Sequence, residues 1–92
     1  MTAHAKAHSI RVVLVDDSAL VRQGIKAVLT AQSPNPPITV IGEAANVADA
    51  SATVTRLKPD VVLLDIRLPD GSGFDACKEI LKRQPEIRIL VL

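Results

Sequence analysis

The sequence predicts an α/β fold, a parallel sheet with helices packed on its faces. Three observations carry that prediction. Four short aliphatic runs recur along the chain, at residues 10–15, 38–41, 61–64 and 87–92. Such runs, with little polar alternation, read as strands covered on both faces. Between them lie stretches whose apolar residues recur at helical spacing. The composition agrees: 48% of residues are hydrophobic and only Phe74 is aromatic. An aliphatic core of this kind suits a layered α/β domain better than a disulfide-stapled or aromatic-rich scaffold. The order β-α-β-α-β-α-β implies right-handed crossovers, and 92 residues allow one small domain.

Residues 1–9 are small and polar, without periodicity, and read as a flexible N-terminal tail. His4 and His8 are four apart, a spacing that on a helix could chelate a metal. Nothing there starts a helix, so they read as solvated tail residues. Ile10 to Val15 forms the first strand and ends in Asp16-Asp17. Ser18 caps the helix that follows, with Val21, Ile25, Val28 and Leu29 as its apolar face and Arg22, Gln23 and Lys26 pointing elsewhere. That helix should end near Ala31 or Gln32, because Ser33-Pro34-Asn35-Pro36-Pro37 cannot continue it.

Ile38 to Ile41 is the second strand, and Gly42-Glu43-Ala44-Ala45 leads out of it. Asn46 with Asp49 resembles a capping box in an acidic variant. Val47, Ala50, Val54 and Leu57 supply the buried face of the second helix. Lys58-Pro59-Asp60 stops it and launches the third strand, Val61 to Leu64. After the Pro69–Gly73 loop, Phe74, Cys77, Ile80 and Leu81 mark the inner face of a third helix, with Lys78, Lys82 and Arg83 on its solvated side. Gln84-Pro85-Glu86 breaks it before the fourth strand, Ile87 to Leu92. Ser72 reads as a loop or cap residue and Cys77 as a core filler.

Eleven Lys and Arg against ten Asp and Glu give a formal net charge of +1. That balance offers no field able to attract DNA or an anionic membrane by itself. The single cysteine cannot form an internal disulfide, and no Cys/His metal spacing is present. The apolar run from Ile10 to Val15 is too short for a signal-peptide core or a membrane span. A cytoplasmic protein is expected.

The chemistry converges on acids. Asp65 ends the third apolar run, and in open parallel α/β sheets ligands bind beyond the carboxyl ends of the strands. Asp16 and Asp17 end the first run. If those strands are neighbours, three carboxylates meet at one rim. Like charges at close range repel and raise one another's proton affinity, so such a cluster calls for a counter-charge. Mg2+ fits: it takes oxygen ligands, needs only one or two carboxylates and keeps several waters. Taken singly, each acid has a plainer reading: Asp17-Ser18 as a helix cap, Asp65 as the start of a turn before Pro69. The coincidence of all three at strand ends favours the shared cation.

On Val13-Leu14-Val15-Asp16-Asp17, on the stretch from Lys58-Pro59-Asp60 through Asp65-Ile66-Arg67-Leu68-Pro69, and on Gly71-Ser72-Gly73, the chain resembles the receiver domain of bacterial two-component response regulators. The resemblance implies a flavodoxin-like, doubly wound sheet with the strand order 2-1-3-4-5. It implies that Asp65 accepts a phosphoryl group from a phosphohistidine on a sensor histidine kinase. Asp17 and Asp65 would ligate Mg2+ directly, Asp16 mainly through a bound water, and the backbone carbonyl of Arg67 would complete the protein ligands. The Arg67 side chain reads as a solvated loop charge. Phosphorylation would add roughly two negative charges at Asp65, which can bias a two-state surface.

The family has five strands and five helices, with a Ser or Thr after the fourth strand and a Lys after the fifth. The fourth helix, fifth strand and fifth helix have no counterpart here, and neither does either of those two residues. The sheet is therefore expected to stop after the fourth strand. Residues 10–92 read as an incomplete receiver domain, a fragment of a longer protein. The exposed fourth strand invites pairing with another chain, as in a homodimer. The Leu-Pro-Asp-Gly-Ser-Gly and Gly-Glu-Ala-Ala stretches resemble regulators with a C-terminal helix-turn-helix domain, so DNA would be bound only through that absent output domain.

Two other readings compete with a phospho-accepting switch. One is a receiver-like interaction module that is not phosphorylated in this form. The other is a haloacid-dehalogenase-type phosphatase, disfavoured because that family needs Asp-x-Asp and here the aspartates are adjacent. A nucleotide-binding Rossmann unit is disfavoured because Asp16-Asp17-Ser18-Ala19 lacks the glycine fingerprint.

Overall fold

The computed structural model describes residues 9–32 and 35–92. The tail expected at residues 1–8, with His4 and His8, lies outside the described residues, as do Ser33 and Pro34. The elements run β1 (Ile10–Val15), α1 (Ala19–Gln32), β2 (Ile38–Ala44), α2 (Val47–Leu57), β3 (Val61–Leu64), the short pair β4 (Arg67–Leu68) and β5 (Gly71–Ser72), α3 (Gly73–Arg83) and β6 (Arg88–Val91). Four strands form a parallel sheet in the order β2-β1-β3-β6. This is the order expected for the four strands present. It puts β1 beside β3, with Val15 level with Leu64, so the residues leaving both strands emerge at one rim.

The core lies mainly on one face. Val13 and Val15 of β1 and Val62 and Leu64 of β3 pack with Ala50 and Val54 of α2 and Ala76 and Ile80 of α3. Val12 and Leu14, also buried, alternate to the opposite face. That face is thinly covered: Val61 and Leu63 are half-buried, and Leu90 is exposed. The expectation of strands covered on both faces therefore holds for β1 and only partly for β3. In α1 no residue is fully buried. Ile25 and Leu29 are half-buried, whereas Val21 and Val28 of the expected apolar face are exposed. Among the described residues α1 meets the end of β2 but is not part of the main core, so half of its stripe has nothing to pack against.

Three further local expectations are corrected. First, β2 extends through Gly42 and Glu43 to Ala44, because a register shift between Val12 and Val13 lets those residues pair with the end of β1. A side chain at Gly42 would meet Leu57 of α2 at 2.6 Å, so the glycine admits α2 close to the strand. Second, the inner face of α3 is Gly73, Ala76 and Ile80, with Cys77 half-buried, and not Phe74 and Leu81, which are exposed. A Cβ at position 73 would lie 2.4 Å from the Asp65 carbonyl oxygen. Only a glycine lets the helix approach that backbone, and the approach turns Phe74 outward. Third, the loop after β3 contains an antiparallel bridge, with Arg67 opposite Ser72 and Leu68 opposite Gly71.

Caps form where side chains can reach orphan amides. The Ser18 hydroxyl accepts from the Val21 N–H. Ser72 accepts from the Phe74 N–H while Asp75 accepts from the Ser72 N–H, a reciprocal capping box. Asn46 accepts from the Asp49 N–H, but Asp49 takes the side-chain amide of Asn46 rather than its backbone N–H, so only half of the expected box forms. No helix among the described residues is long and apolar enough to cross a membrane.

Candidate functional site

The central pair of strands builds the site. The Asp65 N–H donates to the Val15 carbonyl at 2.8 Å and the Asp16 N–H to the Ala44 carbonyl at 3.0 Å, so the sheet ladder continues into both acids. Three residues, Asp16 to Ser18, then turn the chain into α1. Asp16 Oδ1 accepts from the Ser18 N–H at 2.9 Å, which shapes that turn. Asp65 Oδ1 accepts from the Arg67 N–H at 3.1 Å. Asp17 is exposed, while Asp16 and Asp65 are half-buried.

Asp16, Asp17 and Asp65 each present a carboxylate oxygen, and these oxygens all lie within 4.8 Å of one another. An all-carboxylate, partly solvated donor set suits a hard cation such as Mg2+, which keeps waters in its shell. The structure thus brings together the three acids singled out from the sequence. Arg67 follows Asp65 by two residues, with an exposed side chain.

Four residues around the site were not legible beforehand: Arg22, Lys26, Glu43 and Asp70. Arg22 does not point away: its Nη1 donates to the Asp16 carbonyl and its Nε to Glu43 Oε1, at 2.9 Å for the latter. Lys26 Nζ donates to Glu43 Oε2 at 2.7 Å. The hydrogen bond from Lys26 is the largest influence holding the Glu43 carboxyl below the usual carboxylate range; burial pushes the other way, and the bond from Arg22 adds to the lowering. The only sequence signal was the i, i+4 pair of cations on α1, whose partner on β2 is remote in the chain. Asp70 was read as part of a turn. Its carboxylate accepts from the N–H groups of Val47 at 2.6 Å and Ala48 at 3.1 Å, capping α2 from outside. The Val47 bond, followed by that to Ala48, lowers the Asp70 pKa.

This arrangement has close counterparts. Residues 12–92 match the response regulator receiver domain model. The chain is 46% identical over 83 residues to the DNA-binding transcriptional activator DevR/DosR of Mycobacterium tuberculosis, covering 90% of this chain and 37% of that protein. It is 40% identical over 84 residues to the response regulator VraR of Staphylococcus aureus, covering 91% of this chain and 39% of that one. Among solved structures, the response regulator domain of Thermotoga maritima CheB superposes with a TM-score of 0.81 at 36% identity, over 91% of this chain and 60% of that one. A LuxR-family two-component response regulator from an Aurantimonas species gives a TM-score of 0.81 at 31% identity, over 91% of this chain and 58% of that one. With the fold, the strand order and the sequence all in agreement, the chain belongs to the family of response regulator receiver domains of two-component systems.

Proposed function

We infer that Asp65 accepts a phosphoryl group from a phosphohistidine of a sensor histidine kinase, and that Asp16, Asp17 and Asp65, with the backbone carbonyl of Arg67, hold the Mg2+ that assists. The convergence of three carboxylate oxygens within 4.8 Å at the carboxyl rim is the observation that carries this reading. When bound, Mg2+ neutralises the acid cluster and the charge on the phosphoryl oxygens. The protein's part is positioning, which is most of what phosphoryl transfer asks of it. The Arg67 amide and the β1–β3 ladder hold the Asp65 carboxylate at the rim. An Asp65 oxygen bonds to phosphorus as the phosphorus–nitrogen bond of the donor breaks and the imidazole leaves.

The domain is on this reading a switch of a cytoplasmic regulator and not a turnover enzyme. Its output is transcriptional, exerted through a DNA-binding domain beyond these 92 residues. The M. tuberculosis relative, a DNA-binding transcriptional activator, supports this. A protein-glutamate methylesterase of Alkalilimnicola ehrlichii, 42% identical over 76 residues, favours a second reading in which the switched partner is an enzyme. The test is incubation with Mg2+ and radiolabelled acetyl phosphate. Weak or no stable label is expected on the 92 residues alone, which lack the family's Ser or Thr and Lys, and clear base-labile label, dependent on Mg2+ and abolished in Asp65→Asn, on a chain extended past Leu92. Label retained by Asp65→Asn, or none on the extended chain, contradicts the assignment.

A further inference from the structure

We propose that Arg22 is a positioning residue of the metal site, clamping the acidic turn to β2 so that Asp16 and Asp17 face Asp65. The proposal rests on the phosphoryl-transfer reading above. The turn between β1 and α1 is short: the Asp16 N–H is held by the Ala44 carbonyl of β2, and Asp16 Oδ1 to the Ser18 N–H lies within the turn itself. The Arg22 guanidinium adds a side-chain anchor on the carbonyl side of Asp16. One arm donates to the Asp16 carbonyl and another to Glu43, which sits on β2 one residue before Ala44, the partner of the Asp16 N–H. The planar fork of arginine can hold two acceptors in fixed relation, which the point charge of lysine cannot. Lys26 grips the second Glu43 oxygen and so keeps the carboxylate turned towards Arg22. The Arg22 side chain is only 17% exposed, while Glu43, its partner on β2, stays open to solvent.

Two accounts of Arg22 predict opposite signs. As a mere charge beside a cation site it would repel Mg2+, and its removal would tighten binding. As a clamp its removal lets the acids drift, and binding weakens. Outer partners of metal ligands typically contribute about tenfold or more in affinity.

Calorimetric Mg2+ titration of the 92-residue chain separates the two. Arg22→Gln is expected to weaken binding about tenfold. Arg22→Lys, which keeps the charge without the fork, and Glu43→Ala, which frees the guanidinium, are expected to weaken it in the same direction by less. Unchanged or tighter binding in Arg22→Gln overturns the proposal. Amide hydrogen exchange of the metal-free protein gives an independent readout. In Arg22→Gln the Ser18 amide should exchange faster while the Asp65 amide, held by the Val15 carbonyl, keeps its wild-type rate. Equal acceleration of both means general loosening and overturns the clamp, as does no change at Ser18. If the wild type binds no Mg2+ at all, the phosphoryl-transfer reading fails, and the exchange result alone decides whether the clamp exists.

Discussion

Gly73 shows how one residue governs the approach of a helix to the site. A Cβ there would lie 2.4 Å from the Asp65 carbonyl oxygen and 2.8 Å from the Ile66 Cα, both backbone atoms that cannot swing aside. Gly73→Ala is therefore expected to destabilise the fold by about 1–3 kcal/mol, the usual cost of overpacking, despite alanine's better helix propensity. Urea unfolding measures it. Asp70 supplies a second residue-scale prediction. Its folded pKa is lowered by the Val47 and Ala48 amides, so on acidification the unfolded chain takes up the proton first. The contribution is complete at neutral pH and is lost as pH falls from the ordinary aspartate range through the lowered value. Unfolding midpoints measured against pH should show the wild type losing its advantage over Asp70→Asn in that acidic window. The three acids of the site were legible because each ends an aliphatic run. Asp70 and Glu43 were not, because their partners are 22 or more and 17 or more residues away in the chain, at distances no local pattern encodes.

At the scale of elements, the two faces of the sheet differ. The α2–α3 face holds Val54, Ala76 and Ile80, each at most 2% exposed, while Val28 of α1 is 58% exposed. Ile80→Ala is expected to cost about 2–5 kcal/mol, and Val28→Ala to stay within about 0.5 kcal/mol of the wild type, both by denaturant unfolding. Amide exchange should find α1 the least protected helix, since local opening tracks the buried apolar contacts an element makes. Helical spacing located all three helices, because periodicity reports that a face exists. It does not report whether anything covers that face. Hence Val21 and Val28 were placed inward wrongly, and hence the inner face of α3 was only partly right: Ile80 is buried and Cys77 half-buried as expected, but the rest of that face is Gly73 and Ala76, too small to register as a stripe beside Phe74 and Leu81.

For the whole molecule, the strand order β2-β1-β3-β6 makes the site, because it sets the ends of β1 and β3 side by side. That adjacency followed from the resemblance to receivers; aliphatic runs alone predict strands and not their order. A cation bound only by the folded state stabilises it by mass action, about 2.7 kcal/mol at a hundredfold excess over Kd. Mg2+ should accordingly raise the thermal midpoint of the wild type, chelation should reverse the rise, and Asp17→Asn should blunt it. The central claim, that one cation is shared by the ends of two strands, is tested most directly by titrating the isotope-labelled chain with Mn2+ and following paramagnetic broadening of backbone amides. The expected result is a single saturable site that broadens Asp16, Asp17 and Asp65 together at the same metal concentration, with competition by Mg2+. Broadening of the Asp16–Asp17 turn without Asp65, or of scattered acids with no common saturation, would contradict the account.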